Sequence, residues 1–189
     1  MVNAGVIAGS SGDGVSLSAG GNVTNQSGGT ISGSHGITAN MGALTVVNAG
    51  AIAGSRYALH FTAGYANRLI ADPSAVFEGN IYGGGGVLEL ASAADAGTLS
   101  GFGTTIINFG SLQFDSGVAW TIAGNDSAGG LSTIAISGFT HGYTIDLTGF
   151  IEASDTIVNT NTLVLTDSAG KVATLNIEGG LTAGSFQFS

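Results

Sequence analysis

One three-residue phrase limits what this chain can fold into. A large apolar residue, any residue, then glycine recurs as Ile7-Ala8-Gly9, Ile31-Ser32-Gly33, Ile52-Ala53-Gly54, Phe77-Glu78-Gly79, Leu99-Ser100-Gly101 and Ile122-Ala123-Gly124. The glycines follow one another at steps of 21 to 25 residues. An asparagine upstream keeps similar time at Asn3, Asn25 and Asn48. A second apolar segment follows each early triplet: "GVSL" from Gly14, "GITA" from Gly36, "YALHF" from Tyr57 and "GVLEL" from Gly86. Self-similarity at a fixed short period marks a repeat architecture, in which no unit buries its apolar face alone.

Few architectures accept this period with two or three short strands per unit. Leucine-rich repeats need a leucine scaffold that is missing here, and propeller blades need about 40 residues. A coil of parallel strands fits. Successive turns stack at ~4.8 Å, so equivalent side chains form ladders. Ile7, Ile31, Ile52, Phe77, Leu99 and Ile122 are then expected to form one inward ladder. The middle residue of each triplet points outward, and the glycine makes a corner where a positive φ is often required. Asn3, Asn25 and Asn48 become a corner row, since stacked Asn side chains bond along the coil axis.

Composition supports this reading. Glycine supplies 34 of 189 residues and proline one, yet 43% of residues are apolar, which argues against disorder. Helix signals are nearly absent; "LELASAADAG" from Leu88 has room for two turns at most. The net charge of −9, with three Lys and Arg in all, excludes a phosphate-binding surface for nucleic acid and disfavours anionic membranes. No apolar run approaches the ~18 residues of a membrane-spanning helix, so membrane insertion by this segment is not expected. There is no cysteine. The opening "MVNAGVIAGS" has no basic leader and starts in mid-repeat, which reads as a piece of a longer chain.

Two domain-level expectations follow. Residues 1–138 carry the solenoid repeats. Residues 139–189 form a C-terminal β capping segment of the same domain, because the rhythm breaks there. "NTLVLTDSAGKVATLNIEGG" alternates on both sides of a turn, a hairpin signal. A hairpin over the last rung would protect an open edge. The aromatic stretch from Phe102 to Gly124 is expected to thicken the core through Phe102, Phe109, Phe114 and Trp120.

The segments "GNVTNQSGGTISGSHGI", "VVNAGAIAGSRYALHFTAGYANRLIADPSAVFEG", "GVLELASAADAGTLSGFGTTIINFGSLQFDSGVAWTIAG" and "ISGFTHGYTIDLTGF" carry a resemblance. Over nearly the whole chain the repeat style resembles the repeat region of large secreted adhesin-like and autotransporter passenger proteins of Gram-negative bacteria. That resemblance implies a right-handed parallel β-helix, exported and displayed at the cell surface. The signal segment and membrane barrel of such proteins have no counterpart here. "GYTIDL" is similar to the closing segment of calcium-binding repeat proteins. Tyr143 stands where their first acid would be, and only Asp146 remains.

Chemistry is sparse. Sugar-cleaving β-helices place paired carboxylates on one outward face. Among the twelve acids, Glu78 alone takes the triplet's outward position, between Ala53 and Ser100. The nearest constellation is a candidate polar surface patch of Arg56, His60 and Glu78 from two successive coils. His35, His60 and His141 share no ligand spacing, so no metal and no cofactor is expected. The expected role is a non-enzymatic, extracellular structural or adhesive module. Glycans or a host or matrix surface are its candidate partners, with end-to-end self-association as a further one. The alternatives are a polysaccharide-active β-helix enzyme and a self-assembling fibre subunit.

Overall fold

The computed structural model describes residues 1–117 and 119–180. The chain is an all-β parallel solenoid of about six turns. Among the described residues the only helical element is a single 3-10 turn, Leu131–Thr133. The segment weighed as a short helix instead begins with the strand Val87–Leu90.

Each turn passes through two sheets. The first stacks Val2–Asn3, Gly21–Asn25, Leu44–Asn48, Arg68–Ala71, Val87–Leu90, Ser111–Phe114 and Ala135–Ser137 in parallel. The second is bent. Its long strands, Thr30–Ala39 and Ala51–His60, run through the triplet, turn at the glycine and continue onto a third face. The strands are short, and none would be stable alone; neighbours on both sides supply their hydrogen bonds. Alternation does the sorting. In Leu44–Asn48, residues 44, 46 and 48 are buried and 45 and 47 are not. The resulting core contains Phe102, Phe109, Phe114 and Trp120, each at most 4% exposed.

The apolar residues of the triplet stand in two runs. Ile7, Ile31, Ile52 and Phe77 are in register, and so are Leu99, Ile122 and Ile145. Phe77 and Leu99 are not paired. The connection from Ala71 to Val76 is shorter than that from Leu90 to Gly97, so the longer corner lifts the next strand out of step. A cleft of about 330 Å³ opens there, lined in part by Val76, Phe77, Thr98 and Leu99. The coils remain joined on either side, through Leu69, Leu88 and Leu112 in the first sheet and through Ile81 and Ile106 on the third face.

The triplet glycines serve two needs. Gly79 and Gly101 have positive φ, at 106° and 107°. Gly54 does not; a Cβ there would land on the carbonyl of Tyr57. The bend therefore needs glycine as much for close backbone approach as for conformation.

The asparagines are buried, at 6% exposure for Asn3 and 0% for Asn25 and Asn48. Asn3 Nδ2 donates to Asn25 Oδ1 at 2.8 Å, and Asn25 Nδ2 donates to Asn48 Oδ1 at 2.9 Å. Asn25 Nδ2 also reaches the Gly29 and Ala51 carbonyls. The position after Asn48 is Ala71, so the row ends and Asn48 Nδ2 has no partner. Asn25→Ala should therefore cost about 2 kcal/mol, since it strands buried groups on both neighbouring coils. Asn48→Ala should cost less, because one of its groups is already unpaired. Urea unfolding of the two variants checks this order; equal losses would contradict it.

At the C-terminus the parallel coil runs past residue 138, adding Thr144–Leu147 beside Trp120–Gly124. A three-stranded antiparallel unit then follows: Glu152–Asn159, Thr162–Asp167 and Val172–Ile177. Val172–Ile177 pairs in parallel with Ala135–Ser137, so the expected hairpin joins the first sheet as its continuation. Its inner face places Leu163, Leu165, Ala173, Leu175 and Ile177 in the common core. Residues 181–189 of the expected capping segment lie outside the described residues.

Candidate functional site

The third face carries a row of side chains that no single period reveals. Asp13 precedes Val15–Leu17, His35 lies in Thr30–Ala39, Tyr57 and His60 in Ala51–His60, and Tyr82 ends Val76–Tyr82. Parallel pairing sets His35 beside Tyr57 and His60 beside Tyr82. His35 and Tyr57 stack with ring centres 5.8 Å apart, and His60 and Tyr82 at 5.2 Å. Tyr57 and His60 touch within one strand at 5.1 Å. The two ends are polar. Asp13 Oδ1 lies 2.7 Å from His35 Nδ1, and Asn108 Nδ2 donates to Tyr82 Oη at 2.7 Å. The whole runs over five coils and is half-exposed along most of its length.

The electrostatics follow from this packing. The hydrogen bond from His35 holds the Asp13 carboxyl below its ordinary value of 3.8. Partial burial, and then the charge of His35, push His60 below its ordinary value of 6.5. The sign is therefore fixed. Below 6.5 the unfolded chain takes up a proton at this histidine more readily than the folded one, so stability falls as the pH drops below that value. The Asp13 contribution is complete above 3.8 and is lost only as the pH falls through its lower folded value. Acidification from pH 7.5 to 5 should lower the melting temperature, and His60→Gln should flatten that slope. An identical slope in the variant would remove His60 as its source.

The residues singled out by spacing are placed differently from one another. His60 belongs to the row. Glu78 faces a shallow groove of about 320 Å³ lined by Ser32, Ala53 and Ser55 and floored by Gly33, Gly54 and Gly79. Arg56 is exposed at the bend between the two faces. Among the described residues, Arg56, His60 and Glu78 form no ion pair with one another. The buried acid Glu89 is paired with Arg68 on the first sheet, away from the row. Tyr143 donates to the Asp115 carbonyl at 2.8 Å and stacks on Phe114, so its ring serves packing. Among the described residues no group of three or more His, Asp and Glu is arranged to hold a metal ion.

Asp13, Tyr57, Tyr82 and Asn108 were not singled out from the sequence. A signal was available: Asp13–His35, His35–Tyr57 and His60–Tyr82 are each 22 residues apart, and such a near-period spacing places the partners on adjacent coils. No protein-family model, curated protein or solved structure matches the chain.

Proposed function

We propose that this β-solenoid is a non-enzymatic structural and adhesive module of a large secreted or surface-displayed bacterial protein. Its work is to extend the parent chain and to present a rigid face to glycans or matrix. The observation that carries the reading is the half-exposed row from Asp13 to Asn108. Aromatic rings flanked by hydrogen-bonding groups suit sugars, which offer both C–H surfaces and hydroxyls. Parallel stacking fixes the row without a mobile loop, so little ordering cost is added on binding. At ~4.8 Å per coil, about six turns span roughly 30 Å. The repeat style of adhesin-like passenger proteins supports the same reading, including export to the cell surface.

A glycan array probed with the wild-type chain and with a Tyr57→Ala/Tyr82→Ala double variant tests it. The expected result is binding to a restricted set of glycans, weakened about tenfold or more in the variant. Absence of binding, or equal binding by the variant, would overturn the adhesive assignment. An assay of reducing-end release from acidic polysaccharides runs beside it; cleavage would replace the module reading by the enzyme one. Long filaments in micrographs of the purified protein would favour the fibre subunit.

A further inference from the structure

We propose that His35 and His60 form a two-imidazole binding site for a divalent transition-metal ion, copper(II) foremost, with Asp13 as the positioning residue. The two ring centres are 5.9 Å apart with their planes at 51°. Two imidazoles on one ion, each bound through nitrogen at about 2.0–2.1 Å, place their ring centres roughly 4.5–6.5 Å apart, depending on the angle at the metal. The observed pair lies in that range.

Asp13 supplies the second part of the argument. With His35 Nδ1–H donating to Asp13 Oδ1 at 2.7 Å, the free lone pair of the ring sits on Nε2. The same carboxylate oxygen also accepts the His35 backbone N–H at 3.2 Å, which fixes it on two sides. A carboxylate behind a histidine orients the ring and raises its basicity toward a metal. His60 is held differently, between the rings of Tyr57 and Tyr82. Among the described residues neither of its ring nitrogens is engaged in a hydrogen bond. The face is half-exposed, which leaves the remaining coordination positions to water. The chain has no cysteine to compete, and imidazole donors bind copper(II) ahead of the other first-row divalent ions. The site was hidden from spacing arguments because its two ligands come from different phases of adjacent coils.

Titration of the untagged full chain with copper(II) at pH 7.5, followed by calorimetry and electron paramagnetic resonance, tests the assignment. The expected result is one tight equivalent whose spectrum reports two imidazole nitrogens. His35→Gln and His60→Gln should each lose that equivalent, and His141→Gln should keep it. Asp13→Asn should weaken binding about 10–100-fold while the two-nitrogen spectrum persists. Melting curves confirm that each variant is folded. Should His35→Gln fail to fold for want of its bond to Asp13, His60→Gln decides, since it has no hydrogen bond to lose. Undiminished copper uptake by His60→Gln, a spectrum without imidazole nitrogens, or no uptake by the wild type would overturn the proposal.

Discussion

Ile52→Asp should destabilise the chain by about 3–5 kcal/mol and lower its melting temperature by roughly 10 °C or more. Ile52 is 0% exposed and paired in register with Ile31 on one side and Phe77 on the other. Its replacement loses the transfer energy of a buried aliphatic side chain, about 2–3 kcal/mol, and places a carboxylate where no cation can reach it. The position lies mid-stack, so the lesion is shared by both neighbouring coils. Ser100→Asp is the matched control. Ser100 holds the middle, outward position of another triplet and is exposed, so the same charge should cost no more than about 0.5 kcal/mol there. Thermal melts of the pair measure the difference. Equal melting temperatures would contradict the inward assignment of the triplet's first residue.

Ending the chain after Phe150 should make the chain aggregate. The deletion removes Leu163, Leu165, Ala173, Leu175 and Ile177 from the core and uncovers Leu131 and Ile136, both fully buried. It also frees the edge of Ala135–Ser137, whose Ile136 carbonyl now accepts the Glu178 N–H at 2.7 Å. A flat apolar edge of this kind recruits other chains. Among the described residues the present edge strand is Glu152–Asn159, which carries the exposed Asp155. The turn between Thr162–Asp167 and Val172–Ile177 carries Lys171, whose Nζ donates to Asp126 Oδ1 at 2.8 Å and lies over the Phe150 ring at 5.7 Å. That bond draws the Asp126 carboxyl below its ordinary value and ties the antiparallel unit to the loop after Trp120–Gly124. Light scattering on the truncated chain reads the outcome. A monodisperse monomer with unchanged stability would mean that these strands are an appendage and not a cap.

The sequence by itself determined the coil. A period of 21 to 25 residues, with an apolar residue in constant phase, leaves parallel stacking as the way to bury every repeat. The asparagine row was legible for the same reason: Asn3, Asn25 and Asn48 keep step, so in-register pairing makes their contact unavoidable. The alternation of Leu163, Leu165 and Leu175 was enough to show two paired strands near the C-terminus. Where those strands go was decided only in three dimensions, because alternation fixes which face is buried and not which edge it meets. The break between Phe77 and Leu99 was likewise invisible, since spacing counts residues and not the path of a longer corner. The row from Asp13 to Asn108 depended most on tertiary structure. Its members are joined by three steps of 22 residues, at Asp13–His35, His35–Tyr57 and His60–Tyr82, by a neighbour contact within a strand at Tyr57–His60, and by a step of 26 at Tyr82–Asn108. A periodic reading finds ladders of one phase. Side chains that meet diagonally, across phases and across bends of unequal length, are brought together only by the folded coil.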